Sequence, residues 1–378
     1  MRGTSRTRGN KRLPVWQTSF PSRIRRRIRT DVSAVTRRQT MVDGGATRHL
    51  EGLFREVFGR YAVAAASGMD GLELLLEHYG ARRGRTVVVP SNCFPSVPAL
   101  AQQLGARLVA GPVDPTYLCI APGVLRDQVV QESPIVVWVH HAGIVADYAM
   151  QAIVQLREAG CTVVEDCVYM LPGATPAGGP GTWGDGAVFS FHPIKPLGAA
   201  GGAVILSRDG RIADQLAARR SHSGQERLWQ DGDALYRGRQ ITEFAAAAAV
   251  AQFSYRNRIQ RALAPLAEVY ASALPRWLPA GRTPQPTWGR FTIRTGSTGE
   301  ALRLRNQLHS QNIDSNVMFS TPWTTYPIFA GIAGTAQPEL LNIMRRNVCI
   351  PYHAAMSKSD ANRVSAAITD SLDWAGHD

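Results

Sequence analysis

The chain has 378 residues, 44% of them apolar, and a formal net charge of +13. That length supports a large core shared between one larger and one smaller domain, and no apolar run reaches the ~18 residues a membrane-spanning helix needs. The charge is local. Residues 1–38 hold twelve Lys or Arg against one acid, Asp31, and so carry +11, leaving +2 for residues 39–378. The basic signal therefore marks a tail rather than a nucleic-acid-binding fold.

That tail is expected to be a loosely draped arm over residues 1–40, or an extension ahead of a start at Met41. Deleting residues 1–38 should then leave the core nearly intact. The tail lacks the apolar core of a secretory signal, although its Arg-rich, acid-poor composition also suits a transit peptide. Next, GATRHLEGLFREVFGRY (45–61) spaces its apolar residues as an amphipathic helix, and GLELLLEHYG (71–80) is a second helix closing on Gly80. TVVVP (86–90) reads as a buried strand, VPALAQQLG (97–105) as a helix and ARLVAGPVD (106–114) as a strand. PIVVWVHHAG (134–143) and CTVVED (161–166) are strands flanking the helix YAMQAIVQLREAG (148–160), and GAVFSF and GAVILS follow. Short apolar strands alternating with helices predict a mostly parallel sheet covered on both faces. Residues 243–274 read as one long helix kinked at Pro265. Beyond it GRFTIRTG, a helix at 299–312, NVMFS, NVCIP and a last helix from Ser357 suggest a small α+β domain. The expected division is arm 1–40, large domain 41–255 and small domain 256–378. The five cysteines are odd in number and widely spaced, as reduced thiols of a cytoplasmic protein would be, and no metal site is expected.

The chemistry gathers at strand ends. Lys195 lies between two prolines, after the strand ending at Ser190 and before the glycine-rich turn 198–202. Asp166 ends another strand, where open α/β sheets place their ligands. Ser67-Gly68 opens a helix whose free N–H groups favour an anion, with the amides of Gly68, Met69 and Asp70 in reach and Ser190 as a further hydroxyl. Phe94 sits on a loop after a strand. A lysine, an acid, an anion cradle and an aromatic ring are the parts that pyridoxal phosphate requires.

These motifs are similar to those of the DegT/DnrJ/EryC1/StrS aminotransferases, the sugar-aminotransferase branch of fold-type I pyridoxal phosphate enzymes. SGMDGLELLL resembles their S-G-T-x-A-L, VVVPSNCFPSV their strand and aromatic loop, and VHHAGIVAD their V-H-x-x-G-x-x-x-D. VVEDC resembles their E-D-x, FSFHPIKPLGAAGGA their S-F-H-x-x-K…G-G-A, and CIPYHAAMSKSDANRV their closing stretch. The likeness runs over about residues 48–370. It implies a homodimer with sites at the interface and pyridoxal 5′-phosphate held as a Schiff base on Lys195. Asp166 would face the pyridine nitrogen, Phe94 would stack on the ring, and Ser190 with residues 68–70 would hold the phosphate. The activity implied is amino transfer from an amino acid to a keto sugar, cyclitol or related ketone in secondary-metabolite or polysaccharide biosynthesis. A lyase, dehydratase or bond-forming enzyme on an unusual substrate, and a cofactor-binding regulator, are the competing readings.

Three positions depart from the family. Met69 replaces the threonine of S-G-T. Tyr169 stands where Gln or His is usual and would still reach the cofactor's phenolic oxygen. Gly238 and Gln240 replace the Asn and Arg of N-x-R, whose Asn crosses the dimer. At least one of Arg237 and Arg239 is expected to take over that crossing role, reaching the partner's phosphate or an acidic substrate group.

Overall fold

The computed structural model describes residues 11–124, 130–173, 178–221, 238–279, 284–285, 287–334 and 337–373. Its first seven strands are β1 (Tyr61–Ala65), β2 (Thr86–Pro90), β3 (Arg107–Gly111), β4 (Ile135–Val139), β5 (Thr162–Asp166), β6 (Gly186–Ser190) and β7 (Ala203–Ser207). β2, β4, β6 and β7 are buried along their whole length, which is why their sequences are continuous apolar runs rather than alternating ones. Further along come β8 (Phe291–Arg294), β9 (Asn316–Val317), the two-residue β10 (Ala333–Gly334) and β11 (Asn347–Ile350). The large sheet has the order β1-β7-β6-β5-β4-β2-β3-β10. β7 runs antiparallel to both of its neighbours, and the other pairings are parallel. β1, β2, β4, β5 and β6 therefore share one direction. Their carboxyl ends, at Ala65, Pro90, Val139, Asp166 and Ser190, open on one edge of the sheet.

Among the described residues the helices are α1 (Ser22–Arg38), α2 (Gly45–Phe58), α3 (Gly68–His78), α4 (Ser96–Gln103), α5 (Ala149–Glu158), α6 (Gly210–Arg220), α7 (Glu243–Ser254), α8 (Arg256–Ala273), α9 (Thr298–Ser310), α10 (Pro338–Arg346) and α11 (Lys358–Asp373). The expected single helix over 243–274 is two helices. It breaks at Tyr255 (φ −100°, ψ 4°), and α8 runs on through Pro265. The small sheet is antiparallel, in the order β8-β11-β9. One apolar core joins the two regions, running from Phe54, Phe189 and Phe253 to Phe291, Val348 and Ile368. β10, from the C-terminal region, extends the large sheet beside β3, a pairing that two small residues gave no sequence cue to expect.

The basic arm is not loosely draped from residue 11 onward. Leu13 pairs with Ile313 and is buried, as are Val15, Ile24 and Val35, and α1 lies against α7. The arginines of α1 take the outer face, while Ile24 and Val35, eleven residues and about three turns apart, face inward. This overturns the expectation that the segment is dispensable. Removing residues 1–38 should lower the unfolding free energy by several kcal/mol, since each buried Leu, Val or Ile contributes ~1.5–3 kcal/mol. Urea unfolding checks this: an unchanged midpoint and slope would mean that the arm contributes nothing.

Candidate active site

A cleft of about 210 Å³ opens at the shared edge, lined by Ser67, Gly68, Met69, Phe94, Asp166, Tyr169, Ser190 and Lys195. Seven of the sequence-predicted residues thus meet in one place. The Ser67 side chain caps α3 by accepting the Asp70 N–H (3.2 Å) and donates to the Asp70 carboxylate (2.6 Å). The Asp70 amide is therefore used inside the cap, and the amides of Gly68 and Met69 are the ones left at the mouth. A side chain at Gly68 would meet Ser190 Oγ at 3.4 Å, so the helix start and the β6 hydroxyl are neighbours. Ser190 Oγ also accepts the His192 N–H at 3.2 Å.

Asp166 is 8% exposed at the end of β5. One of its oxygens accepts the Val168 N–H at 3.1 Å. Burial raises its pKa, opposed by that hydrogen bond and by the charges of Lys195 and His140. Beside it Glu165 is fully buried. It accepts main-chain N–H groups from Gly181 (2.8 Å), Trp183 (2.8 Å) and Gly184 (2.7 Å) and pairs with His140 Nε2 at 3.0 Å. Of the two adjacent acids, one is committed to holding a loop and the other faces the cleft. His140 also lines the cleft, and its buried Nδ1 has no partner among the described residues.

Lys195 Nζ lies 3.3 Å from the centre of the Tyr169 ring. Burial lowers its pKa to about 7, with Asp166 pulling upward and Arg290 pushing down. A substantial fraction of the amine is then neutral, and nucleophilic, near pH 7. Competitive acylation of the cofactor-free protein with acetic anhydride should show Lys195 half-reactive near pH 7, and lower still in Asp166→Asn, which removes the one upward pull. Half-reactivity near pH 10 would contradict this environment.

Phe94 also lines the cleft and is half exposed, its ring 6.0 Å from that of Phe319. Phe319 was not foreseen. It comes from the loop after β9, has φ 52°, and its ring approaches His141 (5.8 Å) and Tyr169 (6.3 Å). Arg290 was also missed: it is buried, with its guanidinium carbon 5.6 Å from the Tyr169 ring centre. The crossing role fails for Arg239. Arg239 does not cross to a partner. It is 3% exposed and held within its own chain by a two-pronged pair to Glu77 (2.7 and 2.8 Å) and by Glu73 at 3.0 Å. Glu73 and Glu77, one helical turn apart on α3, make the receptor for it. Arg237 lies outside the described residues.

The donor set fits pyridoxal phosphate. A desolvated lysine and an acid with one oxygen unengaged among the described residues face the same cleft, at whose mouth a helix start adjoins a hydroxyl. Fold and cleft together define a fold-type I pyridoxal phosphate-dependent enzyme. The chain belongs to the DegT/DnrJ/EryC1/StrS aminotransferase family, whose model matches residues 22–369, and it is a pyridoxal phosphate-dependent aminotransferase. It is 26% identical over 361 residues to the UDP-N-acetyl-3-dehydro-alpha-D-glucosamine 3-aminotransferase of Acidithiobacillus ferrooxidans, covering 92% of this chain and 95% of that one. Among solved structures it resembles DesV of S. venezuelae, with a TM-score of 0.82, 23% identity and coverage of 98% and 100%. It also resembles PseC of Helicobacter pylori, an aminotransferase of pseudaminic acid biosynthesis (TM-score 0.83, 14% identity, coverage of 96% and 100%). No described helix is long and apolar enough to cross a membrane.

Proposed function

We propose that this chain transfers an amino group from an amino acid to a keto sugar, cyclitol or related ketone, with Lys195 and Asp166 as its catalytic residues. The observation that carries the reading is the placement of a lysine with a pKa of about 7 in the same cleft as the strand-end carboxylate of Asp166. When bound, pyridoxal phosphate supplies a protonated ring that accepts electrons from a substrate carbon. In this reading Asp166 keeps the proton on the ring nitrogen. The amides of Gly68 and Met69 and the hydroxyl of Ser190 would hold the phosphate, with the dipole of α3 behind them. Phe94 would cover one ring face, and the Tyr169 hydroxyl would serve the cofactor's phenolic oxygen. Lys195 Nζ would hold the cofactor at rest and, when free, would move a proton to and from the substrate carbon.

A sugar acceptor is supported by the activity of the Acidithiobacillus relative, and a role in biosynthesis by that of PseC. A homodimer with sites at the interface, residence in the cytoplasm, and the division into arm 1–40, large domain 41–255 and small domain 256–378 belong to the same proposal. The test is spectroscopic. A purified sample should show the visible band of a lysine-bound cofactor, lose it with one amino donor from a panel, and regain it with the matching keto acid or acceptor ketone. A band that no amino donor removes would turn the reading towards elimination chemistry.

A further inference from the structure

Arg239, Glu73 and Glu77 form a triad on the helix whose start faces the cleft. Arg239 and Glu73 are buried, and Glu77 is partly so. The guanidinium donates to both oxygens of Glu77 (2.7 and 2.8 Å) and pairs with Glu73 at 3.0 Å. The two carboxylates stand about 8 and 14 Å along the axis of α3 from Gly68. The main chain of the same arginine reaches the other side of that helix start. Its carbonyl accepts the N–H of Ala66 at 2.9 Å, one residue ahead of the Ser67 cap. The Ala66 carbonyl accepts the Gly202 N–H at 3.1 Å, and the Gly202 carbonyl accepts the Phe191 N–H at 2.8 Å. Phe191 directly follows Ser190, the last residue of β6. Arg239 thus closes a ring of contacts. It runs from α3 through the guanidinium to residue 239, then through Ala66 back to the first turn of α3, with a branch to Ser190. A buried ion triad adds little net stability over apolar side chains of similar size, because every charge in it has left water. What it fixes is geometry, since a guanidinium fork bonds both oxygens of a carboxylate in one plane.

We propose that Arg239 is a positioning residue for the cofactor phosphate: its two-pronged clamp on α3 sets the first turn of that helix against Ser190. The clamp holds the helix by a side chain and the strand end by a carbonyl, both from one residue. α3 therefore cannot slide or tilt about its cap without breaking a buried charged pair. Such control matters here because Gly68 and Met69 offer the phosphate only main-chain N–H groups. Their direction is that of the helix itself, and no side-chain rotation can correct it. Met69 brings no hydroxyl that could adapt in their place. Charge points the same way. Glu73 and Glu77 lie on the helix that receives an anion, and Arg239 compensates them; without it, two carboxylates would oppose the phosphate at the helix start. The assignment rests on the reading that the phosphate lies between the start of α3 and Ser190.

The test compares two cofactors on the full chain freed of cofactor: pyridoxal phosphate, and pyridoxal, which bonds the same lysine but lacks the phosphate. Titrating the visible band gives a dissociation constant for each. Wild type should bind pyridoxal phosphate at least ~100-fold more tightly, the range of a few charged hydrogen bonds. Arg239→Met fills a similar volume without the clamp. It should shrink that preference about tenfold while leaving pyridoxal within about twofold of wild type. Arg239→Lys keeps the charge but not the fork and should lose about threefold. An unchanged preference in either variant would overturn the proposal. So would an equal loss for both cofactors, which is what a merely structural role gives. The lysine variant retains the charge balance of the triad, so a failure of Arg239→Met to fold leaves the proposal decidable. Equal affinity of wild type for the two cofactors would defeat the phosphate reading itself, and the proposal with it, and that result needs no variant.

Discussion

Lys195→Ala is expected to abolish the visible band and to reduce turnover by at least ~10³-fold, about 4 kcal/mol of barrier. The chain has only three lysines, and the other two, Lys11 and Lys358, are exposed and far along the chain from any strand end of the large sheet. No neighbour can substitute as a nucleophile. The substitution also removes the group that would carry the proton between the two substrate carbons, so a small amine added from solution should restore only part of the rate. Stability should hardly change, because burying the amine already costs enough to bring its pKa from 10.5 to about 7. The measurement is single-turnover bleaching by the amino donor, with thermal unfolding as the control. Wild-type turnover in a well-folded Lys195→Ala protein would refute the assignment.

The features that sequence alone revealed are those that local pattern determines. The strands at 86–90, 135–139, 186–190 and 203–207 declare themselves because each is a mostly apolar run buried on both faces. Lys195, Asp166, Ser190 and Gly68 declare themselves because strand ends and helix starts are written in a few adjacent residues. What stayed hidden depends on contacts between distant segments. Arg290 lies just ahead of an ordinary-looking strand, and only the fold brings it to Tyr169. Phe319 arrives from the C-terminal region in the same way. Arg239 was misread for the opposite reason. Its local setting beside Gly238 suggested reach, whereas its partners were 162 and 166 residues away on α3. The i, i+4 spacing of Glu73 and Glu77 on an apolar helix was the available signal for a buried basic partner. The arm was misread because its two inward residues, Ile24 and Val35, are outnumbered by arginines that face solvent.

Asp166→Asn should separate function from stability. Burial disfavours the ionised carboxylate, and its pKa is raised above 3.8. A carboxylate whose folded pKa lies above its unfolded value loses stability as pH rises through that window. At neutral pH the charge at Asp166 therefore weighs against the cofactor-free fold, and an uncharged amide of the same shape should unfold no more easily than wild type, or less so. The amide oxygen can still accept the Val168 N–H, so β5 keeps its end. Catalysis should move the other way. An amide cannot hold the ring nitrogen in its protonated form, the electron-accepting power of the ring drops, and turnover should fall by roughly 100-fold or more, about 2.7 kcal/mol. Cofactor binding should persist, since the phosphate cradle and Lys195 are untouched. A fall of less than about tenfold, or ~1.4 kcal/mol, would mean that Asp166 is not the partner of the ring nitrogen. Unfolding well below the wild-type midpoint would instead give Asp166 a structural role. A residue that costs stability in the empty protein and yields rate in the loaded one is placed for chemistry, and these two measurements on one variant decide whether Asp166 is such a residue.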